Sequence, residues 1–204
     1  MPRAGLTRDE VVAAAAELSD EIGYHELTMG RLAQRLGIRA PSLYKHVDGL
    51  ADVQHRVATL AMTQLGDQIR DCLQGAAGLD ALTALLTATR AYVTAHPGRY
   101  TATVGMEFAG PDDPLLAASA RVIESIAAVL RGYGIGDDEM THAIRTVRCT
   151  FHGFAALQAS HGFQWTGDPD QSFQWMIRFL DRGLRASRPG QDGLTSGFIA
   201  ASGD

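Results

Sequence analysis

The chain has few of the residues from which covalent or metal-bound frameworks are made. Its 204 residues include two cysteines, Cys72 and Cys149, far apart and without metal-ligand spacing. They read as reduced thiols, which excludes a disulfide scaffold. No run of about 18 apolar residues is present to cross a bilayer, so no membrane association is expected. The opening MPRAGLTRDE has no apolar stretch of a secretory signal and turns acidic at once, and the expected location is cytoplasmic. Lysine occurs once, at Lys45, against 17 arginines, a bias we assign mainly to codon usage. Segments alternating with a two-residue period are missing, as are internal repeats. Missing too are HExxH, CxxC, GxSxG and a phosphate loop, and GYGIG at 132 to 136 lacks the strand that a dinucleotide fingerprint requires. No cofactor is expected.

What remains is a helical pattern, and an all-α fold is the expectation. Thr7 and Glu10 form a capping box ahead of the stripe Val11, Val12, Ala15, Leu18 and Ile22, which ends near Gly23. Thr28 caps a second helix. Pro41 falls in the first turn of a third, where its missing N–H costs nothing, and Asp48 is the expected N-cap of a fourth from Gly49. Breaks at His96-Pro97-Gly98, Gly110-Pro111, 133–138 and 162–169 divide the rest into predicted helices at 79–95, 99–108, 113–132, 137–161 and 170–187. The stretch 188–204 has too little apolar surface to offset its ordering entropy and is expected to be a disordered tail.

Within this pattern the segment LTMGRLAQRLGIRAPSLYKHV, residues 27 to 47, is the most constrained. Leu32, Ala33 and Leu36 share one face, Gly37 stands where a left-handed cap is needed, Ile38 plugs the corner, and Leu43 and Val47 resume the apolar pattern. A small residue at a close crossing, a residue free to adopt positive φ and an apolar anchor specify two short helices joined by a tight turn. The segment carries Arg31, Arg35, Arg39 and Lys45 and no acid, so phosphates are expected to meet only positive side chains there. The chain as a whole has formal net charge −5. Residues 1–47 hold six basic and six acidic side chains, all six acids preceding the motif, which confines the positive field to one face. A few arginines alone would describe a solvated helix face; joined to the turn spacing they describe a DNA-reading device.

The last two predicted helices, the eighth and ninth, are apolar over more of their surface than one core uses. In 170–187 the residues Phe173, Trp175, Met176, Ile177, Phe179, Leu180, Gly183 and Leu184 span an arc of about 200°, against ~100° for an ordinary surface helix. The helix at 137–161 sets a large stripe, Met140, Ile144, Val147, Phe151 and Phe154, opposite small or polar Cys149, Gly153, Ala156 and Ser160. Helices eight and nine are therefore expected to form a homodimeric four-helix bundle with their copies, the alternative being that both arcs are buried within one chain.

The segment at 27–47 resembles the signature of the TetR family of one-component transcriptional regulators, most specifically over residues 7 to 60. FHGFAALQASHGF followed by DPDQSF resembles a subgroup named for a Trp-His-Gly motif, here Phe151-His152-Gly153 with its first position changed. The resemblance implies a three-helix bundle with a helix-turn-helix at 1–48 and a larger helical ligand-binding and dimerisation domain at 49–187. It implies a homodimeric repressor on a palindromic operator in double-stranded DNA, released by a small molecule. Carried over by position, Ala40, Pro41, Ser42, Tyr44, Lys45 and His46 face the major groove, Leu43 points inward, Thr28 holds a phosphate at a helix N-terminus, and Arg39 is a phosphate clamp or a base reader. Two positions depart: Leu50 stands where many members have lysine, and Gly30 where some have a base-reading arginine. The expected pocket wall is Met62, Leu65, Tyr92, Tyr100, Met106, Phe108, Phe151, His152 and Phe154, a set suited to a mostly apolar effector. The rival readings are a small helical enzyme or a metal sensor built on His142, Cys149 and His152, which share a broad sector of one helix.

Overall fold

A computed structural model describes residues 6–187, and the expected tail at 188–204 lies outside the described residues. The described chain is all-helical and has no strand. Nine α-helices follow in order: α1 (Arg8–Ile22), α2 (Met29–Leu36), α3 (Ala40–Leu43), α4 (Leu50–Cys72), α5 (Gly78–Ala95), α6 (Pro97–Ala102), α7 (Pro114–Gly132), α8 (Asp137–Ala159) and α9 (Pro169–Ala186), with a 3-10 turn at Tyr24–Glu26.

Local chemistry sets most of these boundaries. The Thr7 hydroxyl accepts the Glu10 N–H while the Glu10 carboxylate accepts the Thr7 N–H at 2.7 Å, so both halves of the capping box form. Asp113 and Asp168 cap α7 and α9 by accepting the Leu115 and Asp170 N–H groups, ahead of prolines at the first helical turn. Two expectations are corrected. Asp48 does not cap α4: Gly49 occupies that position at φ 104, and the Asp48 N–H instead donates to Asp52 Oδ2 at 3.0 Å. The sixth helix is not 99–108 but Pro97–Ala102, because Pro97 can open a helix without an N–H and Gly105, at positive φ, lies where the chain has already left it.

The helices enclose two apolar clusters. One is built from Val11, Ala15, Leu18, Leu27, Leu32, Ala33, Leu43 and Val47 together with Val53, Val57 and Ala58 of α4. The other joins Ala61, Leu65 and Ile69 of α4 to α5, α7, α8 and α9. One continuous helix, 23 residues and about 34 Å long at 1.5 Å per residue, therefore belongs to both. Ala102 of α6 and Leu115 of α7 also enter the first cluster, so the two parts share more than a connecting helix.

Candidate DNA interface and ligand cavity

The turn between α2 and α3 is built as a helix-turn-helix requires. Thr28 caps α2 by accepting the Arg31 N–H at 3.2 Å. Gly37 closes α2 at φ 68 and ψ 28, donating to Ala33 and Gln34, while the Ile38 N–H reaches Ala33 O at 3.0 Å. Leu43 is fully buried, which aims its neighbours outward. Arg39, Pro41, Tyr44 and Lys45 are exposed, Tyr44 by 60 %, and Ala40, Ser42 and His46 are half-buried. The His46 carbonyl accepts Arg8 Nε at 2.9 Å, tying this face to the start of α1.

The charge on that face is narrower than composition suggests. Arg31 bonds the Glu26 carboxylate at 2.8 Å, and Arg35 forks onto Glu21 at 2.6 and 2.8 Å with Glu17 beyond. The Arg35 hydrogen bond holds Glu21 below the ordinary carboxylate range. Acids that precede the motif in sequence thus return to neutralise two of its four cations. Among the described residues, Arg39 and Lys45 make no ion pair, and they sit on the outward face of α3 and its flanking turns.

In the second cluster a cavity of about 490 Å³ opens between α4, α6, the 103–113 segment, α7 and α8. Six residues singled out from sequence line it: Met62, Leu65, Tyr100, Met106, Phe108 and Phe151. The other three do not reach it. Tyr92 is buried and its hydroxyl donates to Gln64. Phe154 packs between Phe163 and Phe173 beneath the Arg90 guanidinium. His152 bonds the Tyr100 hydroxyl through Nδ1 at 2.8 Å and faces a neighbouring groove with Val104 and Ala156. Sequence reasoning missed the α7 wall, Leu115, Leu116, Ser119, Val122, Ile123 and Ile126, together with Arg148 of α8. The apolar stripe of α7 was the available signal, but a stripe facing a cavity and one facing solid core have the same period.

Two polar latches tie the cavity walls to the N-terminal cluster. The buried Asp113 carboxylate accepts N–H groups of Ala109 at 2.7 Å and Leu115 at 2.8 Å and meets His55 Nε2 of α4 at 2.9 Å. The Ala109 bond, with His55 and Leu115, keeps its pKa below the ordinary value despite burial. Asp20, near the end of α1, accepts the Arg99 N–H at 2.8 Å and lies 2.9 Å from Arg99 Nε and 3.2 Å from His96 Nδ1. Beside that latch Gly98 is pressed so closely on α1 that a Cβ there would lie 1.9 Å from the Ser19 carbonyl oxygen.

His142, Cys149 and His152 do not converge. His152 is engaged with Tyr100, Cys149 is exposed, and His142 lines a groove between α8 and α9. No group of three His, Cys, Asp or Glu side chains arranged to hold a metal occurs among the described residues. The shared helical sector brings the three onto one element without bringing their ligand atoms together. On α9, Trp175 and Phe179 are 56 % and 55 % exposed and stack at 5.3 Å between ring centroids, with exposed Gly183 one turn further. Within the single chain, the ninth helix is therefore not covered around its whole apolar arc.

Residues 11–47 match the family model described as bacterial regulatory proteins of the tetR family, and residues 82–180 match a tetracyclin repressor-like C-terminal domain. An HTH-type transcriptional regulator of Mycobacterium tuberculosis is 32 % identical over 89 % of this chain and 83 % of its own length. A crystal structure of BioQ with its double-stranded DNA operator shares the fold at TM-score 0.65 and 24 % identity, covering 89 % of this chain and 99 % of that one. A tetracycline-repressor variant from Acinetobacter baumannii in complex with minocycline does so at TM-score 0.67 and 24 % identity, over 90 % and 99 % of the two chains.

Proposed function

The chain belongs to the TetR family of bacterial transcriptional regulators and is a DNA-binding regulator, not an enzyme; on that premise we propose that it is a homodimeric repressor that binds a palindromic operator and is released by a small molecule. In this reading residues 1–48 form the reading head and residues 49–187 the sensing and dimerising body. The observation that carries the proposal is the outward face of residues 39–46, where Arg39, Tyr44 and Lys45 stand exposed and, among the described residues, no acid pairs with the two cations. Lys45 and His46 donate to phosphates or guanine acceptors, Tyr44 and Thr28 hold phosphates, Arg39 clamps the backbone or reads a base, Ser42 bonds within the groove, and Ala40 with Pro41 packs on thymine methyls.

Dimerisation through α8 and α9 is supported by the exposed Trp175 and Phe179 stack and by the groove beside it, which a second copy would fill. Two heads in such a dimer address half-sites one helical turn apart, about 34 to 36 Å. The cavity between α4 and α7 supports the sensing half. Its wall includes Met62 and Leu65 of the same helix whose first turns pack against the reading head, so an effector wedged there re-aims α4 and changes the spacing of the heads.

The test is fluorescence anisotropy with DNA selected from random sequence, at several salt concentrations. The proposal expects a two-fold symmetric site, affinity that falls steeply with salt, and marked weakening by Lys45→Ala and by Tyr44→Phe. Unchanged affinity in both variants would place the docking surface elsewhere.

A further inference from the structure

The cavity wall is apolar except at a few points, and those points differ in what they leave open. The Thr103 hydroxyl donates to the Tyr100 carbonyl at 2.7 Å, and the Tyr100 hydroxyl is paired with His152. Among the described residues, Arg148 of α8 is the one basic or acidic side chain on the wall; it is exposed, and its guanidinium has no ion pair or hydrogen bond. Acids of the neighbouring helices are paired with other arginines, Glu124 of α7 with Arg131 and Asp67 of α4 with Arg70 and Arg121, while Glu107 is exposed between the wall residues Met106 and Phe108. Among the described residues no acid lines the cavity. The positive charge also reaches inward, since Arg148 opposes the burial that pushes the Tyr100 phenol up to about 12.

We infer that the effector of this regulator is an apolar monocarboxylate, its body in the space walled by Leu65, Val122, Ile126 and Phe151 and its carboxylate on Arg148. The inference rests on the sensing reading above and adds the ligand's charge to it. The exposed Arg148 guanidinium at the mouth of this mostly apolar cavity supplies what a purely apolar guest cannot use, a two-pronged donor matched to a carboxylate. The same cavity disfavours a cation by repulsion and a dianion by leaving its second charge without a partner. A carboxylate seated there also ties α8 to the α4 and α7 walls through one molecule.

The test is calorimetric titration of the full chain at pH 7 without DNA, using decanoate against decan-1-ol and 2-naphthoate against 2-naphthol. The inference expects at least one acid to bind about tenfold or more tightly than its alcohol. Arg148→Gln should make that pair equal, and Arg148→Lys should keep the acid preferred; unchanged thermal melting of these exposed-site variants checks that they fold. Preference confined to decanoate identifies a linear acid, and preference confined to 2-naphthoate an aromatic one. Equal binding of acid and alcohol, a preference that survives Arg148→Gln, or no binding by either acid overturns the inference. Operator binding is measured without any ligand, so these outcomes leave the DNA-binding proposal standing, and a failure of operator binding leaves this titration intact.

Discussion

Individual side chains in the reading head divide by whether an acid meets them. Arg35 and Lys45 contribute equally to composition, yet Arg35 is forked onto Glu21 and Lys45 stands free of ion pairs among the described residues. Counterion release counts the protein cations that neutralise phosphates and so displace condensed counterions from the DNA, and a cation already paired with a carboxylate adds little to it. Lys45→Ala is therefore expected to lower the salt slope of operator binding by about 2, one from each head of the dimer. Arg35→Ala is expected to leave that slope unchanged, and the comparison is read from anisotropy titrations at matched salt. The acid-free stretch was legible in the sequence, but its partial neutralisation was not, because Glu21 and Arg35 are brought together by packing of α1 on α2 and not by local spacing. Gly37 was legible for the opposite reason, since its role is set by its own φ. Gly37→Ala should cost about 1 to 2 kcal/mol in a denaturant melt, the penalty for an L side chain in the left-handed region.

Among the elements, helix ends were readable wherever a cap lies within four residues, as at Thr7, Thr28 and Pro41. The start of α4 and the extent of α6 were not, because Gly49 takes the cap position without a side chain and the 103–113 segment is held by a distant partner. That partner is His55 of α4, which meets Asp113 at the end of the segment across 58 positions and left no local trace. The depressed pKa of Asp113 gives the pH dependence a definite sign. Stability from this carboxylate is complete above the ordinary aspartate range near 4 and is lost as pH falls through the lower folded value. Asp113→Asn should lower the melting temperature at neutral pH and flatten its decline below pH 4, as followed by circular dichroism. The seam between α6 and α1 has no such tolerance. Gly98→Ala places a methyl group on the Ser19 carbonyl and is expected to destabilise by about 1 to 3 kcal/mol or more, in urea melts, by forcing the helices apart.

For the molecule as a whole, α4 and the two latches join the helix-turn-helix cluster to the second cluster in one packed structure, the route by which the proposed effector would act on residues 39–46. The apolar excess on the ninth helix was legible as an arc, and the fold leaves Trp175 and Phe179 exposed as that arc requires. The cavity was only partly legible: aromatic and methionine residues pointed to its α4, α6 and α8 walls, while the α7 wall looked like any core helix. Trp175→Asp with Phe179→Asp should yield a monomer with intact helix content and operator affinity reduced by a hundredfold or more, since one head alone forfeits the paired half-site. The most direct measurement of the account is sedimentation of the full chain with a labelled duplex bearing its selected site. Two chains are expected on each duplex, with the complex dissociating as salt rises; one chain on each duplex, or a complex indifferent to salt, would contradict paired docking through the exposed cations.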